Sequence, residues 1–96
     1  MRKYEIMFIV RPTLEEANIK AVADNMKTVL ESKGAKIIDV KEMGQRDLAY
    51  EVKKFKTGYY FLFTIETENL EATKEFDRLA LISEDIIRHL IVKIED

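Results

Sequence analysis

The chain contains one histidine, His89, next to Arg88, and an imidazole in that setting can transfer a proton or contact an anion. General-base work needs a second group in reach, a hydroxyl to activate and a carboxylate to orient the ring. Ser83 and many acids are present, but no spacing links them to His89 as a catalytic set. Glycine occurs only at 34, 44 and 58, so no glycine-rich loop can cradle a phosphate. Cysteine is absent, which removes thiolate metal sites and disulfides and suits a reducing compartment. The paired acids Glu15-Glu16 and Glu84-Asp85 fall where a helix or turn begins, and there negative charge complements the backbone dipole. The residues therefore predict no enzyme, no cofactor, no metal and no small-molecule substrate.

Basic residues offer a different chemistry. Lysine and arginine total 16 against 18 acids, a formal charge of −2, so any polyanion must be held by a local patch. Arg2 and Lys3 open the first apolar stretch, and Arg88, His89 and Lys93 belong to the last. Were those two stretches neighbours, the five would merge into one cationic edge able to pair phosphates with salt-dependent affinity. Arg46, beside Gly44, is a second basic feature, on a strand expected at the sheet's outer edge, where charge also blocks unwanted pairing.

The elements that must position these groups follow from hydrophobic periodicity. Tyr4, Ile6, Phe8 and Val10 alternate with Glu5, Met7 and Ile9, which predicts a central strand and not a signal peptide. Pro12 stops it, and Thr13 with Glu16 has the spacing of a capping box. Ile19, Val22, Met26, Val29, Leu30 and Lys33 then give a helical stripe that ends at Gly34. Residues 36–53 alternate again, too long for one flat strand, so a bend or bulge is expected near Gly44. Lys53 to Gly58 is expected to connect to a strand over 59–67. Asn69 can cap a second helix to about Leu81, with Leu70, Phe76, Leu79 and Ala80 buried, and a last strand covers about 88–94. No apolar run approaches the roughly 18 residues of a membrane span.

Strand, helix, strand, strand, helix, strand over residues 1–96 predicts one α+β domain, a ferredoxin-like βαββαβ sandwich. Right-handed crossovers place both helices on one face of a four-stranded antiparallel sheet and leave the other face open. Small acyl-phosphate hydrolases share this fold, but their phosphate loop has no counterpart here, and neither do the paired cysteines of its metal carriers.

The stretch TGYYFLFTIE, residues 57–66, could be a base-stacking platform or a buried strand. It overlaps the RNA-recognition signature only loosely, with Tyr60 where that signature has glycine or alanine. Exposing Tyr59, Phe61, Phe63 and Ile65 would leave Thr64 and Glu66 to pack on the helices, so binary patterning buries the aromatic set and turns Tyr60 outward. Met7, Ile9, Leu62 and Ile91 are then expected together on the open face, as an apolar docking surface for another protein. A regulatory domain that binds a small ligand and dimerises through that face is the alternative from a different functional class.

Three blocks, MRKYEIMFIVRP, GQRDLAYEV and FDRLALISEDIIRHLIVK, in this order and spread over nearly the whole chain, closely resemble the bacterial small-subunit ribosomal protein six family. The resemblance implies a cytoplasmic structural constituent of the small ribosomal subunit. It implies binding to the central domain of 16S ribosomal RNA as a heterodimer with the eighteenth small-subunit protein, whose basic character would explain a near-neutral chain. By position, Arg2, Lys3, Tyr4, Arg88, His89 and Lys93 match the blocks suspected of RNA contact, and Gly44, Arg46, Leu48, Ala49 and Tyr50 match the central block. The partner interface is expected at Met7, Ile9, Arg46, Leu48, Tyr50, Tyr60, Leu62 and Ile91. Asp47 stands where the family usually has a second basic residue, and an acid there favours a protein contact or edge protection over phosphate. With Asp96 as the last residue, no tail-dependent contact is expected.

Overall fold

Alternation in the first strand decides which side of the sheet the helices cover. A computed structural model describes residues 2–95. Its elements are β1 (Arg2–Val10), α1 (Glu16–Ser32), β2 (Lys36–Val52), β3 (Phe55–Thr67), α2 (Glu71–Ile82) and β4 (Ile86–Glu95). The strands form one antiparallel sheet in the order β2-β3-β1-β4, the ferredoxin-like arrangement, with β1 and β3 central and β2 and β4 at the edges. Tyr4, Ile6, Phe8 and Val10 of β1 and Phe61, Phe63 and Ile65 of β3 point to the helix side. There they meet Ile19, Ala23, Met26 and Leu30 of α1 and Ala72, Phe76 and Ala80 of α2. Phe8 is the hub, stacked on Phe61 at 5.1 Å, edge-on to Phe63 at 5.1 Å and tilted against Phe76 at 5.6 Å. The aromatics of β3 are therefore core, as binary patterning requires.

Local chemistry departs from expectation at three places. Thr13 does not cap α1: its hydroxyl accepts Arg11 Nη1 at 2.9 Å, and the N-cap position, Glu15, makes no side-chain cap bond. Arg11 claims it because Arg11 is already fixed, donating Nε to Asp85 Oδ1 at 2.9 Å and its backbone N–H to the Asp85 carbonyl at 2.8 Å. The pair clasps the end of β1 to the entry of β4. Leu70, expected in the core, is exposed at the start of α2, while Asn69 Oδ1 accepts the Glu71 N–H at 2.9 Å as a capping group should. The α1 terminus does end at Gly34 with φ of +90°, and one of the three register shifts of β2 against β3 lies between Glu42 and Gly44.

The third departure is the β2–β3 connection. It is a two-residue turn, Lys53-Lys54, and β3 already begins at Phe55, so Gly58 lies inside the strand and not in a loop. Lys53 (φ +49°) and Lys54 (φ +70°) both occupy the left-handed region. That geometry suits a type I′ hairpin, whose preferred pair is Asn-Gly, because lysine there brings its Cβ against the following carbonyl. Replacing the pair by Asn-Gly is expected to stabilise the protein by about 1 kcal/mol, read as a raised urea midpoint at unchanged slope. An unchanged or lowered midpoint would show that the lysines are not strained.

Candidate nucleic-acid and partner interface

Register places the sequence-predicted cations in two groups. Arg2 lies opposite Thr67, Lys3 opposite Glu66 and Glu95, and Lys93 opposite Tyr4, so these three gather at one end of the β1–β4 pair. Arg88 lies opposite Ile9 and His89 opposite Phe8, at the other end. Six residues of strand separate Lys3 from Ile9, about 20 Å at the usual rise. The single cationic edge expected from sequence is thus two clusters, because the strands are antiparallel and β4 runs back along β1.

Neighbours in sequence also point apart. His89 turns to the helix side, where Nε2 lies 2.6 Å from Asp77 Oδ1 and the ring meets Phe76 edge-on. It anchors β4 to α2 and does not accompany Arg88. Tyr4 is 6% exposed within the core and cannot present its ring to RNA. Ile91, expected on the open face, lies opposite Ile6 and packs against the core; Leu90 and Val92 take the outward positions, 53% and 43% exposed. Leu90-Ile91-Val92 is apolar throughout and carries no alternation from which its orientation could be read. The signal that could have found it was the exposed charge of Arg88, two residues before Leu90, counted forward by strand parity.

One row crosses the open face: Gly44 on β2, Tyr60 on β3, Ile9 on β1 and Arg88 on β4. Ile9 is 2% exposed and so is no docking residue, contrary to expectation. Its side chain occupies the space beside Gly58, where a Cβ would collide with Ile9 Cγ2, and Ile87 closes the same spot. Met7, Tyr60 and Leu62 are half-buried, Leu48 likewise, and Arg46 is exposed on the β2 edge with its Nε donating to the Met43 carbonyl at 3.3 Å.

The far part of β2 reaches over this face. Arg88 Nη1 donates to the Tyr50 hydroxyl at 2.5 Å, with the guanidinium carbon 5.5 Å from the ring centroid. Two residues that the sequence assigns to different surfaces thereby touch. On the helix side Tyr59 donates its hydroxyl to Glu42 Oε1 at 2.6 Å, and that bond, with some desolvation and the carboxylate charge, pushes the phenol up to about 12.

Ser83 Oγ accepts the backbone N–H groups of Asp85 and Ile86 at 3.1 and 3.3 Å, a turn role. Among the described residues no three histidine, cysteine or acidic groups are placed to hold a metal. An open depression of about 350 Å³ between the helices is lined by Lys33, Glu71, Lys74, Glu75 and Arg78, and Glu75 holds Arg78 at 2.6 Å. No helix among the described residues is long and apolar enough to cross a membrane.

The fold recurs in proteins of unrelated sequence. The C-terminal domain of the MgtC protein from Mycobacterium tuberculosis superposes with a TM-score of 0.64 at 9% identity, over 99% of this chain and 89% of that one, a likeness of fold alone. The 30S ribosomal protein S6 from Thermotoga maritima superposes with a TM-score of 0.92 at 30% identity, over 97% of this chain and 87% of that one. Residues 3–93 match the model of the family described as ribosomal protein S6. With nearly the whole chain inside that match, the chain belongs to the ribosomal protein S6 family, non-enzymatic structural proteins of the small ribosomal subunit.

Proposed function

We propose that the protein binds the central domain of 16S ribosomal RNA together with the eighteenth small-subunit ribosomal protein, holding a folded junction through its phosphates and shape. One observation supports this most: the β4 edge carries cations at both ends, Arg88 opposite Ile9 at one and Lys93 opposite Tyr4 at the other, with exposed Leu90 and Val92 between them. Cations at that spacing suit separate phosphates, and the apolar stretch suits a protein. Base readout is minor on this reading, because Tyr59, Phe61 and Phe63 of β3 point into the helix side and Tyr60, the β3 aromatic on the open face, is half-buried. A net charge of −2 leaves much of the attraction for RNA to a basic partner.

Binding of a central-domain RNA fragment, measured at two salt concentrations with this protein alone and with its partner, tests the proposal. Binding is expected to be tight only for the pair. With about two to four phosphate contacts it weakens roughly 10- to 100-fold between 50 and 200 mM salt. Equal affinity of the pair for an unrelated duplex would overturn the proposal.

A further inference from the structure

We propose that Tyr50 and Arg88 form one composite phosphate-contact unit, in which the Tyr50 hydroxyl positions the Arg88 guanidinium for an RNA phosphodiester. The inference rests on the RNA-binding reading above and adds to it a residue from the other edge of the sheet. Tyr50 is on β2 and Arg88 on β4, with β3 and β1 between them, and the two are 38 residues apart in sequence. Tyr50 is 61% exposed, and a contact between two exposed, flexible side chains contributes little to stability. Its effect is on the geometry of the arginine.

The chemistry of the contact separates Arg88 from Arg11 and Arg78. Arg11 and Arg78 commit their guanidinium groups to carboxylates, of Asp85 and Glu75. Arg88 bonds a neutral hydroxyl, so its positive charge is not offset by that partner. The ring centroid, at 5.5 Å, is near the outer limit of about 6 Å for cation–π attraction, so the hydrogen bond does most of the orienting. One N–H of five is used, which leaves four donors on a head group whose direction is already set. The Tyr50 hydroxyl, having accepted one bond, retains its own proton to donate, and both groups can address the oxygens of one phosphate. The row beneath contains Ile9, Tyr60 and Gly44 and no acid, so nothing in it repels an anion.

The test is a double-mutant cycle on the assembled pair of proteins, with the central-domain RNA fragment titrated at several salt concentrations. Arg88→Ala is expected to weaken binding about tenfold and to lower the salt slope by about one. Tyr50→Phe removes only the hydroxyl and is expected to weaken binding about three- to tenfold, the range set by re-ordering one long side chain and losing one donor. In the Arg88→Ala background Tyr50→Phe should then cost little more, since what remains to lose is the hydroxyl's own contact. A fully additive effect, or wild-type affinity for Tyr50→Phe alone, overturns the inference. So does a Tyr50→Phe protein that binds its partner protein less tightly without RNA, because the contact would then belong to a protein surface. If Arg88→Ala binds RNA as wild type does, the composite unit is wrong while the RNA reading stands on the other cluster. If no variant and no wild-type pair prefers the fragment, the reading itself has failed.

Discussion

Phe8→Ala is expected to destabilise the protein by about 3 to 5 kcal/mol and to lower its melting temperature by roughly 15 to 30 °C. Phe8 is fully buried, and its ring touches those of Phe61, Phe63 and Phe76, so the residue links β1 to β3 and to α2 at once. Truncation removes the ring's transfer free energy and leaves a cavity whose walls are themselves rings, which cannot collapse into it without leaving their own rotamers. Offset and edge-on ring pairs add about 0.5 to 1.5 kcal/mol beyond area, and two such pairs, with Phe61 and Phe63, are lost together with the tilted contact to Phe76. A domain of this size is stable by about 5 to 15 kcal/mol, so the change takes a large share of the total. Thermal and urea denaturation of Phe8→Ala and Phe8→Leu decide the matter. The leucine variant keeps most of the volume and should fall well short of the alanine loss. A loss below about 1 kcal/mol for alanine would mean that the aromatic cluster is not the centre of the core.

Gly58→Ala should cost about 1 to 3 kcal/mol, a large effect for one added methyl. The glycine sits within β3, not in a turn, and the methyl would meet Ile9 Cγ2 on the neighbouring strand, with Ile87 behind it. Ile9 is almost fully enclosed and β-branched, so it has few rotamers into which to retreat. The remaining response is to part the strands, which would disturb the row that carries Tyr60 and Arg88. Gly44→Ala is the informative contrast, because nothing lies within 4 Å of its added carbon and its cost comes only from φ of +84°. Ile9→Ala in the Gly58→Ala background should recover part of the loss, a non-additivity that identifies the clash as the cause. Strictly additive losses would assign the glycine a different role.

Membership of a ribosomal protein family changes how such effects are read. Phe8→Ala acts through the folded fraction and should weaken RNA binding only as far as it unfolds the protein. Gly58→Ala reaches the open face directly, so its RNA affinity should fall even where the folded fraction is restored by cooling.

Sequence alone determined the order of elements, the parity of β1 and β3, the end of α1 at Gly34 and the irregularity of β2 near Gly44. Each is local or periodic: alternation of Tyr4, Ile6, Phe8 and Val10 needs only the pleat, and a Gly after an apolar stripe needs only the left-handed region. The three blocks of residues also carried the family. What sequence could not determine depended on partners distant in the chain. Thr13 reads as a cap until Arg11, held by Asp85, takes its hydroxyl. Gly58 reads as a loop residue until Ile9 is seen to fill the space its missing side chain leaves. The uniformly apolar run Leu90-Ile91-Val92 has no period, so only pairing with β1 could say that Ile91 faces in and its neighbours out. Antiparallel register then divided one supposed cationic edge into two clusters and sent His89 to Asp77. Bringing Tyr50 to Arg88 across two intervening strands was decided by tertiary structure alone, because a hydrogen bond between exposed side chains 38 residues apart leaves no trace in local propensity.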